Sequence, residues 1–155
     1  MTTYQASESL IINAPAAHVY AILADYHVGH PAIVPKQYFK KVEVLEGGQG
    51  AGTKILVQMN VFGVEAEFNM VVTEPDPGRV LVETDAAAGV TTTFTVESMS
   101  NGSQCQTTIS SVTKAPPGIR GWIERRINPI VSRRIYREEL ALLADYAVKS
   151  TPVTV

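Results

Sequence analysis

Pro116-Pro117-Gly118 divides the chain into two periodicities, and no other feature constrains the fold as much. Before it, from Phe39 to Thr113, apolar residues recur at every second position in short runs broken by turn residues. After it, Ile119, Trp122, Ile123, Ile127, Ile130, Val131, Ile135, Leu140, Leu143 and Ala147 recur at intervals of mostly three and four. A strand repeats every two residues and a helix every 3.6. A run of strands followed by one amphipathic helix of about 25 to 30 residues is therefore expected. Pro129 lies inside that helix and predicts a kink near Asn128.

The strands can be placed from their turns. Val42 and Val44 belong to a run that ends at Glu46-Gly47-Gly48, and Thr53–Phe62 and Val64–Glu74 flank Gly63. Val64, Ala66, Phe68, Met70 and Val72 share one face, while Glu65, Glu67 and Asn69 share the other. That alternation is the mark of an antiparallel sheet with one buried side. Pro75-Asp76-Pro77-Gly78 turns the chain into Arg79–Asp85, and Thr91–Glu97 and Gln104–Thr113 flank the hairpin turn Ser100-Asn101-Gly102-Ser103. Ahead of all this, Tyr4–Asn13 reads as a first strand. Val19, Ile22, Leu23 and Tyr26 mark a short helix, with Asn13 as its N-cap and Pro15 in its first turn. A one-turn second helix over Ala32–Val34 fits between Pro31 and Pro35.

The resulting order, β-α-α-β6-α, predicts an α+β domain over residues 1–149 with a frayed tail over 150–155. One helix cannot cover the whole concave face of a curled seven-stranded sheet, so an apolar pocket is expected beside it. Met59, Phe68, Met70, Phe94, Trp122, Ile123 and Ile127 are the candidate wall, and Tyr26, His30 and Tyr38 the polar contacts that orient a ligand.

The net charge of −2 offers no global field for nucleic acid. No apolar run approaches membrane-spanning length, so stable membrane insertion is not expected. The N-terminus lacks the basic start and apolar core of a secretory signal, and a cytoplasmic location is expected. Cys105 is the only cysteine. Three histidines without ligand spacing give no metal site, and no glycine-rich loop opens a helix, so no cofactor is expected.

Several motifs resemble the START-like, Bet v 1-like superfamily (SRPBCC), in its polyketide cyclase/dehydrase and lipid-transport branch. They are Ile12-Asn13-Ala14-Pro15, Leu23-Ala24-Asp25-Tyr26, Gly50-Ala51-Gly52-Thr53, Val72 through Glu83, Thr93-Phe94-Thr95-Val96 and Leu140-Ala141-Leu142-Leu143. The resemblance implies a helix-grip fold with a deep cavity that holds a lipid, polyketide or aromatic molecule. It also leaves room for acid/base chemistry of the cyclase/dehydratase kind. Oligomeric state, monomer or homodimer, stays open.

The candidates for such chemistry are His30, Tyr38, Glu83 and Asp85. Imidazole titrates near neutral pH, but no carboxylate partner for His27 or His30 is visible in the sequence, so solvated loop positions are expected. Glu83 and Asp85 enter the cavity if Leu81 points inward and stay outside if Val80 and Val82 do. The cost of unpaired buried charge favours the solvent-facing register. His18 is expected to be exposed. The arginines of the long helix read as a solvated face balanced by Glu124, Glu138 and Glu139.

Overall fold

The alternating segments pair into one antiparallel sheet in the computed structural model, which describes residues 2–150. The first strand, β1 (Thr3–Ile12), leads into the helices α1 (Ala16–Ala24) and α2 (Gly29–Ile33). Six strands follow: β2 (Phe39–Glu46), β3 (Lys54–Val61), β4 (Val64–Asp76), β5 (Val80–Asp85), β6 (Val90–Met99) and β7 (Gln104–Lys114). The chain ends in α3 (Gly118–Lys149). The spatial order is β1-β7-β6-β5-β4-β3-β2, a meander in which the first strand closes onto the last. This is the expected helix-grip arrangement, a curved seven-stranded sheet around a long C-terminal helix. Apart from Ser150, which donates its N–H to Tyr146, the expected tail lies outside the described residues.

Register decides which side chains meet. Ile55 pairs with Met70, Leu81 with Phe94, and Phe94 with Ile109, and all five are buried. Since facing residues in a sheet share a side, these pairs define the inner face. In β5 that face carries Leu81, Glu83 and Asp85. The solvent-facing register expected for the two acids is therefore wrong: both are buried. The cost that argued against burial is offset by hydrogen bonds the linear pattern does not reveal.

The helix starts and ends differ in detail from the sequence reading. Pro15, not Asn13, occupies the N-cap of α1 and makes no side-chain cap bond, while Asn13 accepts a hydrogen bond from Gln104. The second helix starts three residues earlier than expected because the Asp25 carboxylate accepts the N–H groups of His27, Val28 and Gly29. Pro31 is accommodated inside its first turn, where its absent N–H is not missed. α3 continues through Pro129 for 32 residues. His18 is half-buried, its Nε2 3.0 Å from the carbonyl of Ala147, which ties α1 to the end of α3.

The core fills only one end of the grip. Val19, Ile22 and Leu23 of α1 meet Val72, Leu81, Val96 and the Leu140-Leu143-Ala147 stripe of α3. α3 packs chiefly against β1, and more lightly on β7, α1 and α2. The inner face of β3 and β4 is only partly covered toward the β3–β4 hairpin, where Met59, Val61, Ala66 and Phe68 stay half-buried.

Candidate functional site

Where the filled end of the core gives way to the half-covered end, polar groups from four elements converge. Tyr26 follows α1, His30 lies in α2, Glu83 in β5 and Glu139 in α3. Tyr26 is positioned by the Gly47–Gly52 loop: its N–H donates to the carbonyl of Gly48 at 2.9 Å, and Gly50 donates back to Ala24. Gly50 takes φ +56° in this loop, a conformation that favours glycine, and an added Cβ would stand 2.5 Å from the Glu74 carboxylate. His30 is held through Asp25, whose carbonyl accepts the His30 N–H at 2.7 Å.

The Tyr26 hydroxyl donates to Glu83 Oε1 at 2.7 Å, and its ring stacks on His30 with centroids 4.6 Å apart. Phe94 meets the imidazole edge-on. His30 Nδ1 stands 2.7 Å from the carbonyl of Leu23. A carbonyl can only accept, so Nδ1 carries a proton and Nε2 is the variable nitrogen. It faces Glu83 Oε1 at 3.5 Å and Glu139 Oε1 at 4.0 Å. One turn back from Glu139, the Tyr136 hydroxyl donates to Ser111 Oγ at 2.6 Å.

Two carboxyls thus share one imidazole in a buried site, and no Lys or Arg pairs with either of them among the described residues. Burial, and then the charge of Glu83, pushes the Glu139 carboxyl up to about 8. It is held as an acid at neutral pH. Burial followed by the neighbouring Glu83 charge also drives the Tyr26 hydroxyl well above its ordinary range, which keeps it a donor. Burial takes Tyr136 up to about 12. Glu139 has no hydrogen-bond partner among the described residues, although it is only 3% exposed. A neutral carboxyl in that position can donate to a ligand oxygen, and His30 Nε2 can accept or return a proton beside it.

The candidates expected from the sequence separate into groups in space. Tyr26, His30, Phe94 and Glu83 come together, and Met70 joins the same buried core. Tyr38 is buried elsewhere, edge-on to Phe62, and takes no part in the cluster. Asp85 is also occupied: its two oxygens accept the N–H groups of Asn69 and Ala88, bracing the turn after β5. Met59 and Phe68 are half-buried on the adjoining inner face, and Met59 also lines an open groove of ≈ 340 Å³ with Lys40, Asn60 and Glu65. Trp122, Ile123 and Ile127 lie on α3 and are exposed. His27 is exposed as expected, but His30 is not, because α2 folds it under the sheet beside two acids that are distant in sequence.

Glu139, expected to be a solvated balancing charge, is instead one of the most buried polar groups. A signal for it exists in the sequence. Ile135, Glu139 and Leu143 are spaced by four, which places a carboxylate within the apolar stripe. Among the described residues, no group of three or more His, Cys, Asp or Glu is arranged to hold a metal.

With this geometry established, similarity to known proteins is informative. Residues 3–148 match a family described as polyketide cyclase/dehydrase and lipid transport. No curated protein matches the chain. The solution structure of the KanY protein superimposes with a TM-score of 0.81 at 26% identity, over 96% of this chain and 99% of the other. The ZhuI aromatase/cyclase from a Streptomyces species gives a TM-score of 0.76 at 20% identity, over 98% of both chains. A START superfamily protein from Mycobacterium smegmatis gives 0.71 at 12% identity, over 96% of this chain and 99% of the other.

Proposed function

The chain belongs to the polyketide cyclase/dehydrase and lipid transport family, and from that premise we propose that it holds a small hydrophobic ligand between sheet and α3, as a carrier or sensor. The ligand is of lipid, polyketide or aromatic type. The observation that carries this reading is the half-buried inner face of Met59, Ala66 and Phe68, which continues directly from a filled core. Apolar surface left at the end of a core is stabilised by whatever covers it, at roughly 25 cal/mol per Å² before the costs of association. The buried Tyr26–Glu83–His30–Glu139 cluster supplies the few polar contacts that fix a ligand's orientation.

Native mass spectrometry of the chain purified from its own host tests this reading. A co-purifying small mass, released on denaturation and absent from a Phe68→Asp variant, is the expected result. Release of no small mass from the wild-type chain, together with failure to bind any of a panel of fatty acids, sterols and polycyclic aromatics, would overturn it.

A second reading is favoured by one specific observation, the pairing of Glu139 held as an acid with His30 Nε2. In that reading the same site moves protons on an enolisable substrate, as a cyclase or dehydratase would. It requires a bell-shaped pH–rate profile, and a His30→Ala variant that binds normally but turns over slowly.

A further inference from the structure

The first half of α3 presents to solvent the kind of surface that soluble domains usually bury. Ile119, Ile123, Ile127 and Ile130 follow one another at spacings of four, four and three, which puts them on one face of the helix. They are 44% to 80% exposed, and Trp122 beside them is 52% exposed. A single exposed isoleucine needs no explanation, but four in a continuous stripe with a tryptophan at its edge do. The hairpin between β3 and β4 adds Phe62 and Val64, both more than 60% exposed. Arg134 of α3 lies over the Phe62 ring at 5.9 Å, which places that hairpin tip alongside the helix.

The charge on this stretch of the helix is predominantly positive. From Gly118 to Arg137 the helix carries six arginines and one glutamate, while the whole chain has a net charge of −2. Glu124 is taken up by Arg120 at 3.1 Å. Arg125, Arg126 and Arg133 have no acidic partner among the described residues, and Arg126 lies over the Trp122 ring at 5.0 Å. A second copy of the chain seated symmetrically on this face would bring two such arginine sets together and be repelled. A surface of anionic lipid headgroups is complementary to both components: acyl chains receive the isoleucine stripe, and phosphates receive the arginines.

We infer that the first half of α3, with the Phe62 hairpin beside it, is a docking surface for an anionic lipid bilayer. The helix lies in the plane of the interface and does not cross it: no helix among the described residues is long and apolar enough to span a membrane. This goes beyond ligand binding and stands independently of it, because it uses side chains on the outside of α3 and none from the buried cluster.

The test exploits the fact that Trp122 is the only tryptophan. The full chain is titrated with phosphatidylcholine vesicles, with and without about one-third phosphatidylglycerol, and both Trp122 emission and co-sedimentation are followed. With phosphatidylglycerol the emission shifts to the blue and the protein pellets; with phosphatidylcholine alone neither occurs. Binding falls by roughly tenfold or more at high salt, in the double variant Ile123→Glu/Ile127→Glu, and in Arg126→Glu/Arg133→Glu. These sites are exposed or only partly buried, so a melting temperature within a few degrees of wild type confirms that the variants fold. Failure to bind anionic vesicles at low salt would overturn the inference, as would binding that both double variants retain. Concentration-dependent dimerisation abolished by Ile123→Glu/Ile127→Glu, with no vesicle binding, would assign the face to a second copy and overturn it equally.

Discussion

In the second half of α3, Ile135, Leu140, Leu143 and Ala147 are buried, Glu139 with them, whereas in the first half Ile119, Trp122, Ile123, Ile127 and Ile130 face solvent. Both halves carry apolar residues mostly at intervals of three and four, so sequence period does not distinguish them. What differs is the surroundings. The second half crosses α1, α2 and the filled inner face of the sheet, and its end is tied to α1 through His18. β1 runs beside both halves: Asn128 of the first half donates to the Tyr4 hydroxyl at 3.0 Å, and Arg137 of the second half donates to Glu8 at 2.8 Å. The helix is therefore a structural clamp at one end and a presented surface at the other. Its apolar residues serve stability in one place and recognition in the other.

The largest test of that division is Leu143→Ala. Leu143 is fully buried within the core cluster, and truncation leaves a cavity that its neighbours cannot close, so about 3 kcal/mol of unfolding free energy is lost. Chemical denaturation reads it directly. A loss below about 1 kcal/mol would mean that the clamp end is no better packed than the exposed end. Next in size is Tyr26→Phe. It leaves the buried Glu83 carboxylate without its 2.7 Å donor, and about 1–3 kcal/mol is lost at neutral pH. Urea midpoints of the variant and the wild type read this loss, and a difference below about 0.5 kcal/mol would mean that Glu83 does not depend on the Tyr26 hydroxyl.

Glu139→Gln sharpens the comparison along a different axis. The Glu139 carboxyl ionises near 4.5 in an unfolded chain and at about 8 in the fold. Between those values the native state holds the extra proton. Its contribution to stability is complete below the lower value and is lost as pH rises through the upper one. Wild-type stability therefore falls across this window, by at most about 1.4 kcal/mol per pH unit from this group, and levels above it. Glutamine has nothing to ionise, so the variant follows a flatter curve, and the two diverge most near pH 8. Parallel curves would show that the carboxyl titrates normally, and the proposed acid role would fall with it.

The parts of this molecule that are legible in the sequence are those governed by local period and turn chemistry. The strand meander follows from the alternation of Val64 to Val72 and the turns at Pro75–Gly78 and Ser100–Ser103. The candidate site is less legible because it is made by register across four elements. The orientation of Glu83 depends on Leu81 facing Phe94, which no stretch of β5 alone encodes. His30 gains its acids from β5 and α3, 53 and 109 positions later in the chain. Glu139 is the exception, since its place between Ile135 and Leu143 marks it as an acid on a buried stripe, and the abundance of arginine nearby masks that cue.

The smallest expected effect carries as much information as the largest. Ile127→Ala removes a side chain that is 52% exposed on a helix whose neighbours would gain nothing by closing over it. Little transfer free energy is lost, alanine is the better helix former, and the change in stability stays within about 0.5 kcal/mol of zero. Set against Leu143→Ala on the same helix, this near-neutrality separates apolar residues that hold the fold from those the fold holds out. A loss above about 2 kcal/mol would mean that the first half of α3 closes over the half-covered end of the sheet in solution. In that case the isoleucine stripe would be core, and α3 would clamp along its whole length.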